Sequence, residues 1–287
     1  MRICRFDGNH IGVVEGDSVY DVTALFDLKP TWPLPQGDWI MRQLPDLLPR
    51  IRDQFRTSKA APLQSVRLES PVANPGKIIG APINYRAHID EANADRDINH
   101  GKTFTSLDQY GLFIKANSAL IGPSDEVQLR FDDRRNDHEV ELAVIIGREA
   151  RFVPRERALD HVLGYCIGLD MTVRGPEFPG FRKSLDTFAV LGPWLVTRDE
   201  IADPNDLALS IRVNGETRQE SRTSYLIFDV QKLIEYASRF YTLHPGDVIM
   251  TGTPEGVSQV NPGDVMDASI EKIGSMQVRI ARDWARP

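Results

Sequence analysis

Cysteine, basic charge and long apolar runs are all scarce in this chain. Only Cys4 and Cys166 occur among 287 residues, which excludes a disulfide-stapled scaffold and a zinc site built on paired thiolates. Cys166 lies inside the apolar run GYCIGLD and reads as a small buried hydrophobe; neither cysteine is assigned chemistry. Acidic residues outnumber Lys and Arg by 41 to 34, a net charge of -7 with a pI near 5.4. Such a balance offers no basic face to displace counterions, so no nucleic-acid partner is expected. The opening residues hold no run of signal-peptide length and no later stretch is apolar enough to span a bilayer. The expectation is a cytoplasmic protein with no membrane partner.

What is present suits a folded enzyme-sized chain. Hydrophobic residues make up 41% and charged residues 26%, and 21 Gly with 19 Pro imply many turns between short elements. The first 70 residues read as short strands (RICRF, HIGVVEG, SVYDVTAL) and a helix over PDLLPRIRDQFR. Pro71, Asn74, Pro75 and Gly76 then punctuate the chain. This division predicts a small N-terminal α/β domain over 1–72 and a main domain over 73–287. Strand-like runs dominate the main domain, with helical periodicity only in PRERALDHVLG and FDVQKLIEYASRFYTL. The fold class is α+β, mostly β. Asn214-Gly215 predicts a tight hairpin, because both turn residues tolerate positive φ. Residues 92–109 are polar and lack either periodicity, a pattern open to a mobile lid or an ordinary surface loop.

The chemistry is concentrated in carboxylates. In HEVELAVIIG the alternation puts Glu139 and Glu141 on one face of a strand, with Cα atoms roughly 6.6 Å apart. Two like charges so close repel unless a cation lies between them, and a hard divalent ion takes oxygen ligands. A solvated strand face is the alternative. A third carboxylate, Asp170, emerges at the end of the apolar run GYCIGLD, where a scaffold fixes a side chain yet leaves it accessible.

Five segments in order extend this pattern: KIIGAPINYRAHIDEA, HEVELAVIIG, GLDMTVR, RKSLDTFAVLGPWLV and PGDVIMTGTPEGV. Together they resemble the fumarylacetoacetate hydrolase family over nearly all of residues 77–280. The resemblance implies a mixed β-sandwich roll, usually homodimeric, with a smaller N-terminal domain in longer members. By that resemblance Glu139, Glu141 and Asp170 hold Mg2+ or Mn2+, His88 and Glu91 form the catalytic pair, and Lys183 is the active-site lysine, placed to steady an oxyanion or to hold a substrate carboxylate. Positions 88 and 91 share a helix face, so Glu91 can orient the imidazole. Lys115, Arg174 and Thr253 are expected at the substrate, with Arg174 alternatively bracing the metal ligands. His138 is expected to pack behind the acidic pair, and His10, His100, His161 and His244 are given no role. Pro82, Ile83, Ala116, Gly175, Arg182 and Val190 depart from the family pattern near the pocket.

The implied substrate is a small molecule: an acylpyruvate or related 2,4-diketo acid, cleaved by hydrolysis of a C–C bond to pyruvate and an acid. Isomerisation or decarboxylation of a 2-keto acid uses the same enolate chemistry and is the runner-up. A non-catalytic metal-binding scaffold is the remaining alternative.

Overall fold

The computed structural model describes residues 1–30, 32–131 and 133–282. The last five residues of the expected main domain therefore lie outside the described residues. A 12-stranded mixed sheet forms the frame. Its centre runs from Arg2–Phe6 through Ala189–Thr197, Val162–Asp170, Val140–Ile146, Val248–Met250 and Ile78–Gly80 to Phe113–Lys115. A five-stranded sheet, ordered Glu216–Arg222, Ala208–Val213, Val265–Ile270, Gly274–Arg282 and Glu126–Leu129, packs against it.

Alternation along one strand explains the layering. Leu142, Val144 and Ile146 join a core shared with Ile211 and Val213 of the five-stranded sheet and with Leu233 and Ile234 of the helix Val230–Phe240. Ala143 and Ile145 point the other way, into a core with Met41, Leu44 and Ile51 of the helix Trp39–Gln54. Successive side chains of a strand face opposite sides, so a strand covered on both faces is apolar throughout. Each fully buried Leu or Ile contributes about 1.5–3 kcal/mol. This is the α+β, mostly β architecture expected, with the two sheets stacked face to face.

The N-terminal segment is continuous with the frame. Arg2 and Ile3 pair with Val196 and Leu195, so the first strands extend the main sheet. The stretch expected to link two domains is also tied down: Asp38 Oδ2 accepts from the N–H groups of Ala73 and Asn74 at 2.9 and 2.8 Å. The same buried Asp38 caps the helix Trp39–Gln54, its Oδ1 taking the Ile40 and Met41 N–H groups. That helix starts well before the expected PDLLPRIRDQFR because the cap lies at Asp38. Pro45 and Pro49, four residues apart, confine the two missing ladder donors to one helix face.

PRERALDHVLG is another departure. Arg155–His161 is a 3-10 helix and Val162 already pairs with Ile146, so strand pairing overrides the local helical pattern. Asn214 and Gly215 form the expected hairpin turn, with φ of 52° and 84°. Both cysteines are buried and unpaired. Among the described residues no helix is long and apolar enough to cross a membrane.

Candidate active site

Glu139 and Glu141 do not share one unbroken strand. Asn136–His138 pairs with Thr172–Val173 and Ser258–Gln259 in a separate three-stranded sheet, whereas Val140 opens the main-sheet strand opposite Leu169. Glu139 is the step between the two ladders, and its carbonyl accepts the Asp170 N–H at 2.9 Å. The step keeps the acidic side chains together. Glu139, Glu141 and Asp170 are buried, and each offers an oxygen within 4.8 Å of the others.

Cations surround this cluster unevenly. Lys183 Nζ donates to Glu139 Oε2 at 2.6 Å and to Asp170 Oδ2 and Thr172 Oγ1 at 2.7 Å each, which uses its three donors. Arg174 donates from Nε to Asp137 Oδ2 at 2.8 Å and from Nη2 to Glu139 Oε1 at 3.1 Å, and so braces the ligands. Lys115 is fully buried behind Asp170 and bonds its Oδ1, so it supports a carboxylate instead of forming a wall of the cavity. Glu141 has no ion-pair partner among the described residues; the Gly252 N–H donates to its Oε2 at 2.7 Å.

The protonation states follow. Burial disfavours a charge on Glu139, but Lys183 and Arg174 outweigh it and hold the carboxyl at about 2. Burial, then the charges of Asp170 and Glu139, push Glu141 well above the usual carboxylate range. Burial also opposes the charge of Lys183, yet Asp170 and Glu139 keep it above an ordinary lysine, while burial pushes Lys115 down despite Asp170. The odd member is Glu141, whose protonated form is favoured by burial and by the charges of Asp170 and Glu139, against a smaller opposing effect of Lys183. A divalent cation would offset those charges, and three carboxylates form the all-oxygen donor set of a hard ion. The residues fit a metal of that class.

The helix Arg86–Ala94 carries the proposed base. Asn84 locks its start: Nδ2 donates to the Phe228 and Thr251 carbonyls at 2.9 and 2.8 Å, and Oδ1 accepts the Phe228 N–H. Ile83, just before it, holds a left-handed φ of 45°, unfavourable for a β-branched residue and found here at the edge of the pocket. One turn into the helix, His88 Nδ1 lies 2.9 Å from Glu91 Oε2, and the Gly256 N–H donates to Glu91 Oε1 at 2.9 Å. With Nδ1 engaged, Nε2 is the nitrogen left for the cavity that His88 lines.

That cavity, about 300 Å3, brings together His88, the three carboxylates, Arg174, Lys183 and Thr253. Thr253 Oγ1 donates to the Val140 carbonyl at 2.9 Å and accepts from Gln219 Nε2 at 2.8 Å. Ala92, Ile98, Phe104 and Gln109 line the same cavity, so the polar segment 92–109 forms part of its wall. It is pinned by side-chain amides: Asn93 Nδ2 donates to the Phe104 carbonyl at 2.8 Å, and Asn99 Nδ2 to the Ala92 carbonyl at 3.1 Å. A larger surface groove of about 770 Å3, lined by Arg52, Arg148, Arg157 and Arg198, holds none of the acidic cluster.

Two supporting residues escaped the sequence reading. Buried Gln219 joins His138 Nδ1, the Val140 N–H, Thr253 and the Pro254 carbonyl, and Asp137 anchors both Arg135 and Arg174. His138 packs behind the glutamates as expected, its Nε2 2.9 Å from Ser258 Oγ.

Residues 77–281 match the fumarylacetoacetate hydrolase C-terminal family. The chain belongs to the fumarylacetoacetate hydrolase family. It is 57% identical to a maleylpyruvate hydrolase of Aquipseudomonas alcaligenes, over 98% of this chain and 99% of that protein. The crystal structure of a maleylpyruvate hydrolase from Sphingobium sp. SYK-6, in complex with manganese(II) and pyruvate, is 40% identical. It superposes with a TM-score of 0.84 over 98% of this chain and 99% of that one. A 5-carboxymethyl-2-hydroxymuconate delta-isomerase of Mycobacterium smegmatis is 34% identical, with a TM-score of 0.75 over 99% of this chain and all of that one.

Proposed function

We propose that this protein is a metal-dependent hydrolase that cleaves the C–C bond of an acylpyruvate, releasing pyruvate and a carboxylic acid. The observation that carries the reading is the convergence of the His88–Glu91 pair and the Glu139–Glu141–Asp170 cluster on one small cavity. A 40% identical relative was crystallised with manganese(II) and pyruvate, which supports pyruvate as the product half. Mg2+ or Mn2+ held by the three carboxylates would supply Lewis-acid stabilisation of the developing enolate.

The chain's own residues do the rest. Glu91 fixes the imidazole, and His88 Nε2 takes a proton from water as that water attacks the carbonyl carbon of the acyl group. The bond to the methylene carbon then breaks, its electron pair passing to the pyruvate enolate, which is reprotonated at that carbon. Lys183 places positive charge beside the oxyanion, and Arg174 and Lys115 hold the carboxylates in position. Thr253 is assigned to the substrate wall. Residues 73–287 would carry the chemistry and 1–72 would form the smaller lobe, consistent with a site drawn wholly from residues 81–253. A cytoplasmic homodimer completes the proposal, as family membership supports.

Hydrolysis in water labelled with oxygen-18 tests the reading, because only hydrolysis places solvent oxygen in the released acid. The likeness to a Mycobacterium smegmatis isomerase favours a second reading, isomerisation of a 2-hydroxymuconate-type acid. A product of unchanged mass without label would select it.

A further inference from the structure

A second groove, of about 770 Å3, shares no lining residue with the cavity that His88 lines. It lies where three central strands end. Gly147 and Arg148 follow the strand Val140–Ile146, Val162 opens Val162–Asp170, and Thr197 closes Ala189–Thr197. The acidic cluster sits toward the other ends of the first two, with Glu141 on the order of 20 Å from Gly147 along its strand.

Arg52, Arg148, Arg157 and Arg198 line the groove with only two carboxylates, Asp160 and Asp199. Positive charge is therefore in excess there, in a chain whose net charge is -7. Asp199 bonds Arg52, and Asp160 Oδ2 accepts from Arg157 Nε at 2.6 Å. Arg198 comes only within 3.9 Å of Asp160 Oδ1, beyond hydrogen-bond distance, and among the described residues no acceptor takes a bond from the Arg148 guanidinium. Beside these charges the lining is apolar: Val162, Leu163 and Ile201, all buried, and Leu48 of the helix Trp39–Gln54. At Gly147 a Cβ would meet that of Leu163 at 2.8 Å, so the strand end carries no side chain where it enters the groove.

We propose that this groove binds a phosphate monoester with an apolar body, at a site separate from the catalytic cavity. Two guanidiniums without a hydrogen-bonded acceptor call for a dianion, and a phosphate monoester carries nearly two negative charges at neutral pH. Its oxygens match the guanidinium fork, and the apolar lining takes the body of the ester out of water.

Calorimetric titration of the metal-free full chain tests the assignment, because without a cation the catalytic cavity presents carboxylates that repel phosphate. The probes are phenyl phosphate, inorganic phosphate and benzoate. Phenyl phosphate should bind at one site per chain, about 10-fold more tightly than either of the others. Arg148→Gln and Arg198→Gln should each weaken it by about 10-fold or more, whereas Arg212→Gln, exposed on the strand Ala208–Val213, should not. All three replace exposed side chains and should keep the wild-type Tm. Absence of saturable binding at millimolar phenyl phosphate, equal affinity for phosphate or benzoate, or unchanged affinity in either groove variant would overturn the proposal. A loss of the same size in Arg212→Gln would overturn it too, since it would show only general attraction between charges.

Discussion

Glu91 Oε2 lies 2.9 Å from His88 Nδ1, one helical turn away, while the other oxygen of the same carboxylate takes the Gly256 N–H. The imidazole and the loop beyond Thr253 are thereby held as a unit, which leaves Nε2 for the cavity that His88 shares with the carboxylates. Replacing His88 by Ala should lower kcat on an acylpyruvate by about 10²- to 10⁴-fold. Glu91→Gln should cost less, since the amide still bonds the ring. Pyruvate affinity, measured by calorimetry on the metal-loaded protein, should be unchanged in both.

The acidic cluster makes metal uptake pH-dependent. In the metal-free protein burial and the neighbouring carboxylates favour the protonated form of Glu141, and a cation competes with that proton. Affinity for Mn2+ should therefore rise with pH, with net proton release on binding seen in calorimetry run in buffers of differing ionisation enthalpy. The stability of the metal-free protein carries two opposed contributions. Glu141, raised on folding, stabilises fully below its unfolded pKa, and that contribution is lost as pH rises through its folded value. Glu139, lowered to about 2, stabilises above its unfolded pKa and loses that contribution as pH falls through about 2. Metal-free melting curves should show both limbs, and saturating Mn2+ should remove the alkaline one.

Gln219 serves four partners from one buried side chain, so a residue without its amide strands them together. Each stranded buried group costs about 1–3 kcal/mol. Gln219→Leu should lower Tm by several degrees and also lower kcat, since Thr253 and the strand start at Val140 lose their brace. Differential scanning calorimetry with parallel kinetics checks both.

Asp38 separates stability from chemistry. It caps the helix Trp39–Gln54 and holds the backbone at Ala73 and Asn74, far in sequence from the cavity. Asp38→Ala should reduce unfolding free energy in urea by about 2 kcal/mol, the upper end for a lost cap. kcat below the melting range should stay at the wild-type value.

Much of the site is legible in sequence because its signals are local. The apolar run ending at Asp170 and the three-residue spacing between His88 and Glu91 each report local placement, whereas alternation brings Glu139 and Glu141 together only in outline, because Glu139 is a step between two ladders. Asn214-Gly215 announces its turn for the same reason. What stays hidden is set by distant partners. Gln219 sits in an unremarkable polar strand and acquires its role only when that strand passes beside Thr253 and Val140. Arg2 and Ile3 join the main sheet by pairing with residues about 190 positions away, which no boundary signal at Pro71 discloses. Segment 92–109 has no continuous apolar period because it breaks into short helices, its turns tied by Asn93 and Asn99 and its buried residues Ala92, Ile98 and Leu107 irregularly spaced.

The central claim is that Glu139, Glu141 and Asp170 bind one divalent cation on which capture of a 2-oxo acid depends. Calorimetric titration of metal-free protein with Mn2+, then with pyruvate, tests it most directly in the wild type and in Glu141→Gln. The account requires one ion per chain in the wild type and pyruvate binding only after metal. The variant should lose metal affinity by more than the roughly 10- to 100-fold that removal of an outer partner costs. Equal Mn2+ affinity in both proteins, or pyruvate bound equally well without metal, would contradict it.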